Sequence, residues 1–282
     1  MPKQLIINSA NFNINNNKFV YKFPVRQRFK KGDKVGLSSI SIYNSFFNIS
    51  SVYNNNNYSF TFPSATPIDI TFTIPNGYYS ISDLNYYFQQ QCILNGLYCT
   101  SSSNSSSNIY FMEFTTNAVR YAGQINLYAL PTASQAATLG YAIPSNASWS
   151  FPSIANTPSI NINIDFGLLL GFSNGIYPLI PSSTNIQFVS NICPNLSVVN
   201  SLIMTCNLID NSGISIPSTI FDSIPLTVGF GSLINSNSSQ IIYSDIASND
   251  YDNIEIQFYD QNLNLLTILD SDVLITLSLE IN

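Results

Sequence analysis

The chain has 282 residues, of which 45% are hydrophobic and only 9% are charged, and this balance excludes disorder of the whole chain. Histidine is absent, which excludes every Ser–His or Cys–His nucleophile pair and removes the commonest metal ligand. The formal net charge is −6, yet eight of the nine basic residues lie between Lys3 and Lys34, so charge is unevenly distributed.

Alternating hydrophobic and polar residues predict β-strands along most of the chain. Clusters of Asn, Asp, Gly, Ser and Pro separate these stretches and predict the turns between them. About ten to twelve strands, rich in Tyr and Phe, favour an all-β sandwich of two antiparallel sheets. The predicted strands are 18–23, 34–43, 68–74, 109–114, 124–130, 159–166, 185–189, 196–209, 226–230, 253–259 and 273–281.

One helix is predicted, from Ser80 to Leu94. Ser80 can cap the first turn, Asp83 stands three residues later as in a capping box, and Gly96 offers a left-handed stop. An apolar stripe at helical spacing predicts that the helix covers a sheet. The stripe consists of Leu84, Tyr87, Phe88 and Cys92.

Several segments are predicted to lack regular structure. The asparagine runs 15–17 and 54–57 and the polar stretch 101–107 are predicted as loops. The segment 131–158 holds the only tryptophan, Trp149, and is predicted as an extended excursion because it shows no sustained periodicity.

A basic arm alternates aromatic and basic residues between Phe19 and Lys31. Aromatic rings beside positive charge can hold single-stranded nucleic acid. The simpler interpretation is a strand with one buried aromatic face and one solvated basic face, leading into a turn at 31–33. The C-terminal end is acidic, so the arm could also pair with it inside one fold or between neighbouring subunits. The acidic residues are Asp245, Asp250, Asp252, Glu255, Asp260, Asp270, Asp272 and Glu280.

The sequence predicts no cofactor and no transition metal. The cysteines, at positions 92, 99, 193 and 206, match neither zinc-site spacing nor a disulfide framework, so they are predicted to be free and mostly buried. No apolar run is long enough for a transmembrane helix, and the first residues are not typical of a signal peptide.

Two close carboxylate pairs are the candidates for glycoside hydrolysis: Asp250 with Asp252, and Asp270 with Asp272. The second pair lies between two apolar runs, where a turn with side chains capping its own backbone explains both residues. A calcium site in this loop is an alternative, because hard cations take clustered carboxylates and carbonyls.

Several segments resemble penton proteins of virophages and related Polinton-like viruses. Lys31 to Ile49, KGDKVGLSSISIYNSFFNI, resembles an early strand-and-turn segment of those proteins. Ile74 to Asn85, IPNGYYSISDLN, resembles a strand-turn-helix element that recurs in capsid and fibre-like proteins of such viruses. The segments 200–208, 258–261 and 269–277 also fit, and together the pieces span most of the chain.

The resemblance implies a single jelly roll of eight strands that forms homopentamers at the fivefold vertices of an icosahedral shell. It further implies a minor capsid protein of a virion assembled inside the host cell, with the major capsid protein as a partner. The absence of histidine independently predicts that the protein is not an enzyme, and the charge of the basic arm makes packaged DNA a second candidate contact. The predicted subunit-interface residues are Arg26, Arg28, Lys30, Lys31 and Lys34.

The jelly-roll domain is predicted to comprise residues 1–75 and 159–282. Residues 76–158 are predicted to form an insertion that carries the helix and makes one compact unit with the jelly roll. The resemblance implies that this insertion projects outward.

Two other functions fit an all-β sandwich, because fold alone does not decide function. A viral spike, or a receptor- or carbohydrate-binding module, would show a shallow groove carrying Trp149 or several tyrosines, whereas large apolar flanks would indicate a shell protein. A glycoside hydrolase would lose its activity, but not its fold, on substitution of Asp252 or Asp270.

Overall fold

The computed structural model describes residues 2–8, 12–15, 18–101, 107–270 and 272–282, with the backbone alone for 12–15. Of the predicted loops, residues 16–17 and 102–106 therefore lie outside the described residues. The chain forms two compact units: unit 1 comprises Met1–Phe46 and Val199–Asn282, and unit 2 comprises Phe47–Val198.

Both unit boundaries differ from the predicted boundaries at 75/76 and 158/159. The physical reason is strand pairing. The strands at 57–62, 68–73 and 159–162 belong to one sheet of unit 2, although the first two precede the predicted insertion and the third follows it.

Unit 1 contains two antiparallel sheets of five strands each. Its strands, numbered in chain order through both units, are β1 (Lys3–Asn8), β2 (Phe12–Asn15), β3 (Lys18–Arg28), β4 (Lys34–Tyr43), β15 (Ser201–Cys206), β16 (Ile220–Pro225), β17 (Leu233–Asn237), β18 (Tyr243–Asp245), β19 (Asp250–Tyr259) and β20 (Leu274–Glu280). The first sheet has the order β1-β20-β4-β17, with β18 also pairing with β4. The second sheet has the order β16-β15-β19-β3-β2.

The pairing in unit 1 follows the jelly-roll pattern. With β2 and the short β18 left aside, eight strands remain, in the chain order β1, β3, β4, β15, β16, β17, β19 and β20. The first pairs with the eighth, the second with the seventh, the third with the sixth and the fourth with the fifth. A long hairpin rolled into an eight-stranded jelly roll has this pairing. Unit 2 is inserted between the third and fourth strands of the roll.

Alternate side chains of both sheets form the core of unit 1. Ile40 of β4 and Ile275 of β20 are buried in the first sheet. In the second sheet, Phe19 of β3 packs edge-to-face on Phe258 of β19, with ring centroids 5.7 Å apart. The period-two pattern of the sequence thus gives each sheet one buried face.

Unit 2 contains one four-stranded and two three-stranded antiparallel sheets, with three α-helices among its described residues. Its elements are β5 (Asn57–Phe62), β6 (Ile68–Thr73), α1 (Ile81–Leu94), β7 (Cys99–Ser101), β8 (Asn108–Ile109), β9 (Met112–Asn117), β10 (Ala122–Leu127), α2 (Ala133–Leu139), β11 (Tyr141–Ala142), β12 (Ser159–Ile162), α3 (Ile164–Leu170), β13 (Gly175–Tyr177) and β14 (Ile186–Val189), with a 3₁₀ turn at Ser51–Tyr53. The sheets have the orders β13-β12-β5-β6, β14-β10-β9 and β11-β7-β8.

Helix α1 agrees with the predicted helix. Ser80 and Asp83 form a reciprocal capping box, and Gly96 has a φ of +66° just after the helix. Phe88 is fully buried and packs edge-to-face on Phe60, with ring centroids 5.1 Å apart. The stripe therefore covers a sheet, and it lies in an aromatic core that the rest of unit 2 shares.

Helices α2 and α3 lie where no helix was predicted. The strand expected at 159–166 ends at Ile162, because the Asn163 side chain accepts a hydrogen bond from the N–H of Phe166 and caps α3. Helix α2 lies in the segment expected to be an extended excursion, where Thr132 and Gln135 form a second capping box.

Candidate functional site

The basic arm coincides with strand β3, which has one buried and one solvated face. Phe19 is 1% exposed, whereas the basic residues of the strand lie on the opposite face. The other aromatic rings of the arm contact one another and a ring of β19: Tyr21 with Phe23 at 5.6 Å, Phe23 with Phe29 at 6.3 Å, and Phe29 with Tyr251 at 5.9 Å. These rings pack within unit 1, which favours the simpler interpretation over base stacking.

Strand β19 brings the acidic end of the chain beside the basic arm. Lys18 Nζ lies 3.0 Å from Glu255 Oε2. Arg26 Nε lies 3.8 Å from Asp250 Oδ2 and 3.7 Å from Asp252 Oδ1.

A further ion pair links Arg28 Nε to Asp250 Oδ1 at 3.8 Å, with the Arg28 side chain 82% exposed. Exposed pairs of this length contribute only about 0–1 kcal/mol each. The basic arm therefore pairs with the acidic C-terminal end inside one fold, which was one of the predicted alternatives. Arg26 and Arg28 both take part in these ion pairs.

The turn after β3 is fixed by a buried carboxylate. Asp33 is 1% exposed and accepts hydrogen bonds from the backbone N–H groups of Lys30 at 2.8 Å and Asn282 at 2.9 Å. These two N–H groups, in that order, hold the pKa of Asp33 below its usual value, assisted by the Lys30 ammonium group and opposed by burial. Gly32 provides the left-handed φ of +96° that the turn requires.

The three predicted interface lysines surround this turn. Lys30 and Lys31 are exposed, and Lys34 stands opposite Asp245 and Glu280 in the strand register. Within the described residues, none of the three lysines forms an ion pair. The charge of Lys30 also acts on Asp33, and the role of the three lysines at an interface stays a prediction.

The acidic loop at 270–272 binds backbone groups. Asp270 accepts hydrogen bonds from the N–H of Tyr43 at 2.8 Å and the N–H of Asp272 at 2.7 Å. Ser271 lies outside the described residues. The hydrogen bond from Asp272 is the self-capping turn that the sequence predicted. In the part of the chain that the structure describes, no group of three His, Cys, Asp or Glu residues could hold a metal ion.

The four cysteines are free thiols, and three of them are buried. Burial raises the pKa of Cys92, and it raises the pKa of Cys99 and of Cys206 to about 12. Cys193 is exposed. Thiolates are the reactive form, so the buried cysteines are structural.

A cavity of about 810 Å³ in unit 2 was not predicted from the sequence. Its wall is formed by most of the segments 61–67 and 151–159, together with Thr132, Ala133, Ser134 and Pro181. The only sequence signal for it is the concentration of Pro, Ser and Thr in the segments that lack periodicity. The tryptophan singled out as a groove residue, Trp149, is itself 8% exposed and lies behind the cavity residue Phe151 at 5.4 Å.

No family model and no curated protein matches the chain. Among solved structures, it is similar to the mavirus penton protein, with 10% identity over 100% of this chain and 98% of that chain and a TM-score of 0.46. It is also similar to a chain in the cryo-electron microscopy structure of the Sputnik virophage, with 11% identity over 99% of this chain and 98% of that chain and a TM-score of 0.45. Both names agree with the resemblance found in the sequence, but at these values they assign no function to the chain.

No helix among the described residues combines the length and apolar character needed to cross a membrane.

Proposed function

We propose that the chain is a structural, non-enzymatic capsid subunit that forms homopentamers at the fivefold vertices of an icosahedral virion assembled in the host cell. The observation that carries this proposal is the eight-strand jelly-roll pairing of unit 1, interrupted by one large inserted unit. The resemblance of five sequence segments to virophage penton proteins supports the same function. Because one fold serves many functions, assembly must be tested directly.

The two sheets of unit 1 present different outer faces, as a closed ring requires. A cyclic pentamer joins two different patches of neighbouring subunits. The outer face of the second sheet carries the ion pairs of Lys18, Arg26 and Arg28 with β19.

Around Leu274, the outer side of the first sheet carries an uncharged face that spans four adjacent strands and exposes large side chains, whereas Lys34 and Glu280 lie opposite each other at the other end of that side. In the strand register, Ile6 faces Thr276, Asn8 faces Leu274, Leu274 faces Ser41, and Leu233 faces Tyr43. The exposed large residues of this uncharged face are Ile6 (51%), Tyr43 (43%), Leu274 (41%) and Leu233 (38%).

This uncharged face is the proposed apolar flank between subunits. Apolar contact supplies most of the free energy of association, whereas rim charges mainly adjust its rate and its salt dependence. The charges of Lys30, Lys31 and Lys34 would then contact an acidic surface of a neighbouring subunit or of the major capsid protein. Contact with packaged DNA is less favoured, since the aromatic rings of the arm pack against one another.

Native mass spectrometry of the purified protein, combined with imaging of assembled particles, tests the proposal. We expect pentamers that occupy fivefold axes. Leu274→Asp should weaken the pentamer at least about tenfold, because it places a charge in the apolar flank. The matched control is Val119→Asp, which changes a residue of unit 2 that is 92% exposed.

A protein that stays monomeric at all concentrations, or that never occurs at a fivefold axis, would refute the pentameric capsid function. Trimers that project from particles would instead support the alternative, a viral spike or receptor-binding module. The cavity in unit 2 is the observation that keeps this alternative open.

A further inference from the structure

We propose that the cavity in unit 2 is a binding site for a neutral saccharide. A ligand site of this kind goes beyond the capsid function proposed above and does not depend on it. The cavity volume of about 810 Å³ lies within the range of roughly 300–1,000 Å³ that is typical of small-molecule sites.

The cavity wall carries no charged side chain. Phosphate, sulfate and carboxylate ligands are recognised by Arg, Lys or arrays of N–H donors, and cationic ligands by carboxylates or aromatic cages. None of those charged groups lines this cavity. The ligand should therefore be uncharged, which excludes sialylated and sulfated glycans.

The wall combines apolar surface with hydroxyl groups. Four prolines and Phe151 provide flat apolar surface, and serine and threonine side chains stand between them. A pyranose ring has the matching chemistry, with C–H groups on one face and hydroxyl groups around its edge. Phe151 is the one aromatic ring of the wall that could stack on such a C–H face.

The position of Phe151 is fixed by the core of unit 2. Its ring packs edge-to-face on Trp149, with centroids 5.4 Å apart. Trp149 packs on Phe62 at 4.9 Å and donates a hydrogen bond from its Nε1–H to the carbonyl oxygen of Gly96 at 2.6 Å. A ring held in this way does not have to be ordered when a ligand binds, so less conformational entropy is lost.

Polar groups of the wall also have unused hydrogen-bonding capacity. The side-chain amide of Asn156 and the hydroxyl groups of Ser153 and Ser159 form no hydrogen bond with any described residue. The backbone of Asn156 is nevertheless fixed, since it exchanges two hydrogen bonds with Leu130, at 2.8 and 3.1 Å. The side chains of all three residues are thus free to bind sugar hydroxyls, and that of Asn156 extends from a fixed backbone.

Further hydrogen bonds fix the neighbouring segments in the same manner. The N–H of Thr157 donates to the carbonyl oxygen of Ser182 at 2.8 Å, and the N–H of Ser182 donates to Thr157 Oγ1 at 3.0 Å. The N–H of Ala65 donates to the carbonyl oxygen of Ser150 at 2.9 Å. Backbone hydrogen bonds therefore tie together the segments that form the cavity.

The test is an array of neutral, sialylated and sulfated oligosaccharides probed with the full chain, followed by calorimetric titration of the neutral glycan that binds best. Ala133→Trp would place an indole ring in the cavity from an exposed position and should lower the affinity at least about tenfold. Asn156→Ala should lower it about three- to tenfold, because it removes free polar groups without adding bulk.

The matched control is Ala137→Trp, which adds the same bulk at an exposed position of the same helix outside the cavity wall and should leave affinity unchanged. Circular dichroism would confirm that all variants are folded. The proposal is overturned if no neutral glycan binds, if binding requires sialic acid or sulfate, or if Ala133→Trp and Ala137→Trp have equal effects. Exclusive binding of a proline-rich peptide in a parallel array would also overturn it.

Discussion

At the scale of single residues, the four thiols differ in exposure, and this difference predicts their reactivity. Cys92, Cys99 and Cys206 are buried with raised pKa values, whereas Cys193 is exposed. Under native conditions at pH 8, we expect a thiol reagent to label one cysteine per chain, and four in denaturant. Mass spectrometry of the labelled protein measures both numbers.

Cys193→Ser is the control for the labelling experiment. It should abolish native labelling and leave three reactive thiols in denaturant. Rapid labelling of Cys92 or Cys206 in the native protein would contradict the burial of these side chains.

The buried carboxylate of Asp33 should make stability depend on pH. Its folded pKa is held below the usual 3.8, first by the N–H of Lys30 and then by that of Asn282. Its contribution is therefore fully present above about pH 3.8 and is lost as the pH falls through the folded pKa. At pH 7, we expect Asp33→Ala to lower the free energy of unfolding by about 1–3 kcal/mol, because it leaves two N–H donors unpaired.

Urea unfolding of both proteins between pH 7 and pH 2.5 measures this difference in stability. The difference should shrink towards the lowest pH. Asp33→Asn keeps one oxygen acceptor and should lose less stability than Asp33→Ala at pH 7. A difference that stays constant with pH would show that the charge of Asp33 contributes nothing.

Charge composition predicted the complementary ends but not the individual partners. The sequence shows a basic arm and an acidic end, and the structure joins them. The pair Lys18 and Glu255 is separated by 237 positions, and the ladder that aligns them contains an irregularity between Tyr251 and Asn253. The register between β3 and β19 depends on the packing of whole strands. Charge composition alone therefore could not predict that Arg26 and Arg28 form ion pairs with β19.

At the scale of secondary-structure elements, the capping box of α1 offers a direct test of local stability. Ser80 Oγ accepts a hydrogen bond from the N–H of Asp83 at 3.2 Å, and Asp83 Oδ2 accepts one from the N–H of Ser80 at 2.9 Å. We expect Ser80→Ala to lower the stability of unit 2 by about 0.5–2 kcal/mol. Fluorescence of Trp149, the only tryptophan, reports the unfolding of this unit.

Ser82→Ala is the matched control, since Ser82 is exposed within the same turn and takes no part in the capping box. Its effect should stay within about 0.5 kcal/mol. Equal losses for Ser80→Ala and Ser82→Ala would show that the capping box does not stabilise α1.

Strands with a clear alternation of hydrophobic and polar residues were predicted well. Elements in which this alternation overlaps with residues that favour loops were not. The strand predicted at 34–43 has the bounds of β4, Lys34–Tyr43. The strand β5 was missed because its first residue, Asn57, ends an asparagine run that favours a loop, although Tyr58, Phe60 and Phe62 alternate correctly and are buried.

Other errors have similar causes. The strand predicted at 226–230 is not formed, since β16 ends at Pro225 just before it. Helix α3 was hidden because Ile160 and Ile162 continue the alternation up to its cap at Asn163, which is also a common loop residue. The cavity in unit 2 could not be predicted, because it is formed by segments without periodicity.

At the scale of the whole molecule, the unit boundaries could not be predicted from individual strands. Alternation identifies a strand but not its sheet, so the strands at 68–73 and 159–162 were placed in the jelly roll. The structure pairs both with β5 in unit 2. The jelly-roll pairing itself joins strands such as β1 and β20 from opposite ends of the chain, which only the resemblance could predict.

The assembly proposal makes one further prediction, about charge. Lys30 and Lys31 are exposed and form no ion pair among the described residues, so their charges are available to a neighbouring subunit. Two exposed pairs contribute together about 0.4–2 kcal/mol, which corresponds to roughly a two- to thirtyfold change in affinity. We expect the double variant Lys30→Glu/Lys31→Glu to lower the affinity between the subunits of the pentamer at least about twofold in low salt. Native mass spectrometry and light scattering measure this change.

The salt dependence separates an interface charge from a structural one. Near 1 M salt the Debye length falls to about 3 Å, so pentamers of the variant and of the unchanged protein should then differ little. Arg120→Glu is the control and should leave assembly unchanged, because it reverses the one basic residue outside the segment from Lys3 to Lys34, at an exposed position. If the lysine variant assembles normally in low salt, these charges do not act between subunits. If it unfolds more readily as a monomer, they instead stabilise the turn around Asp33.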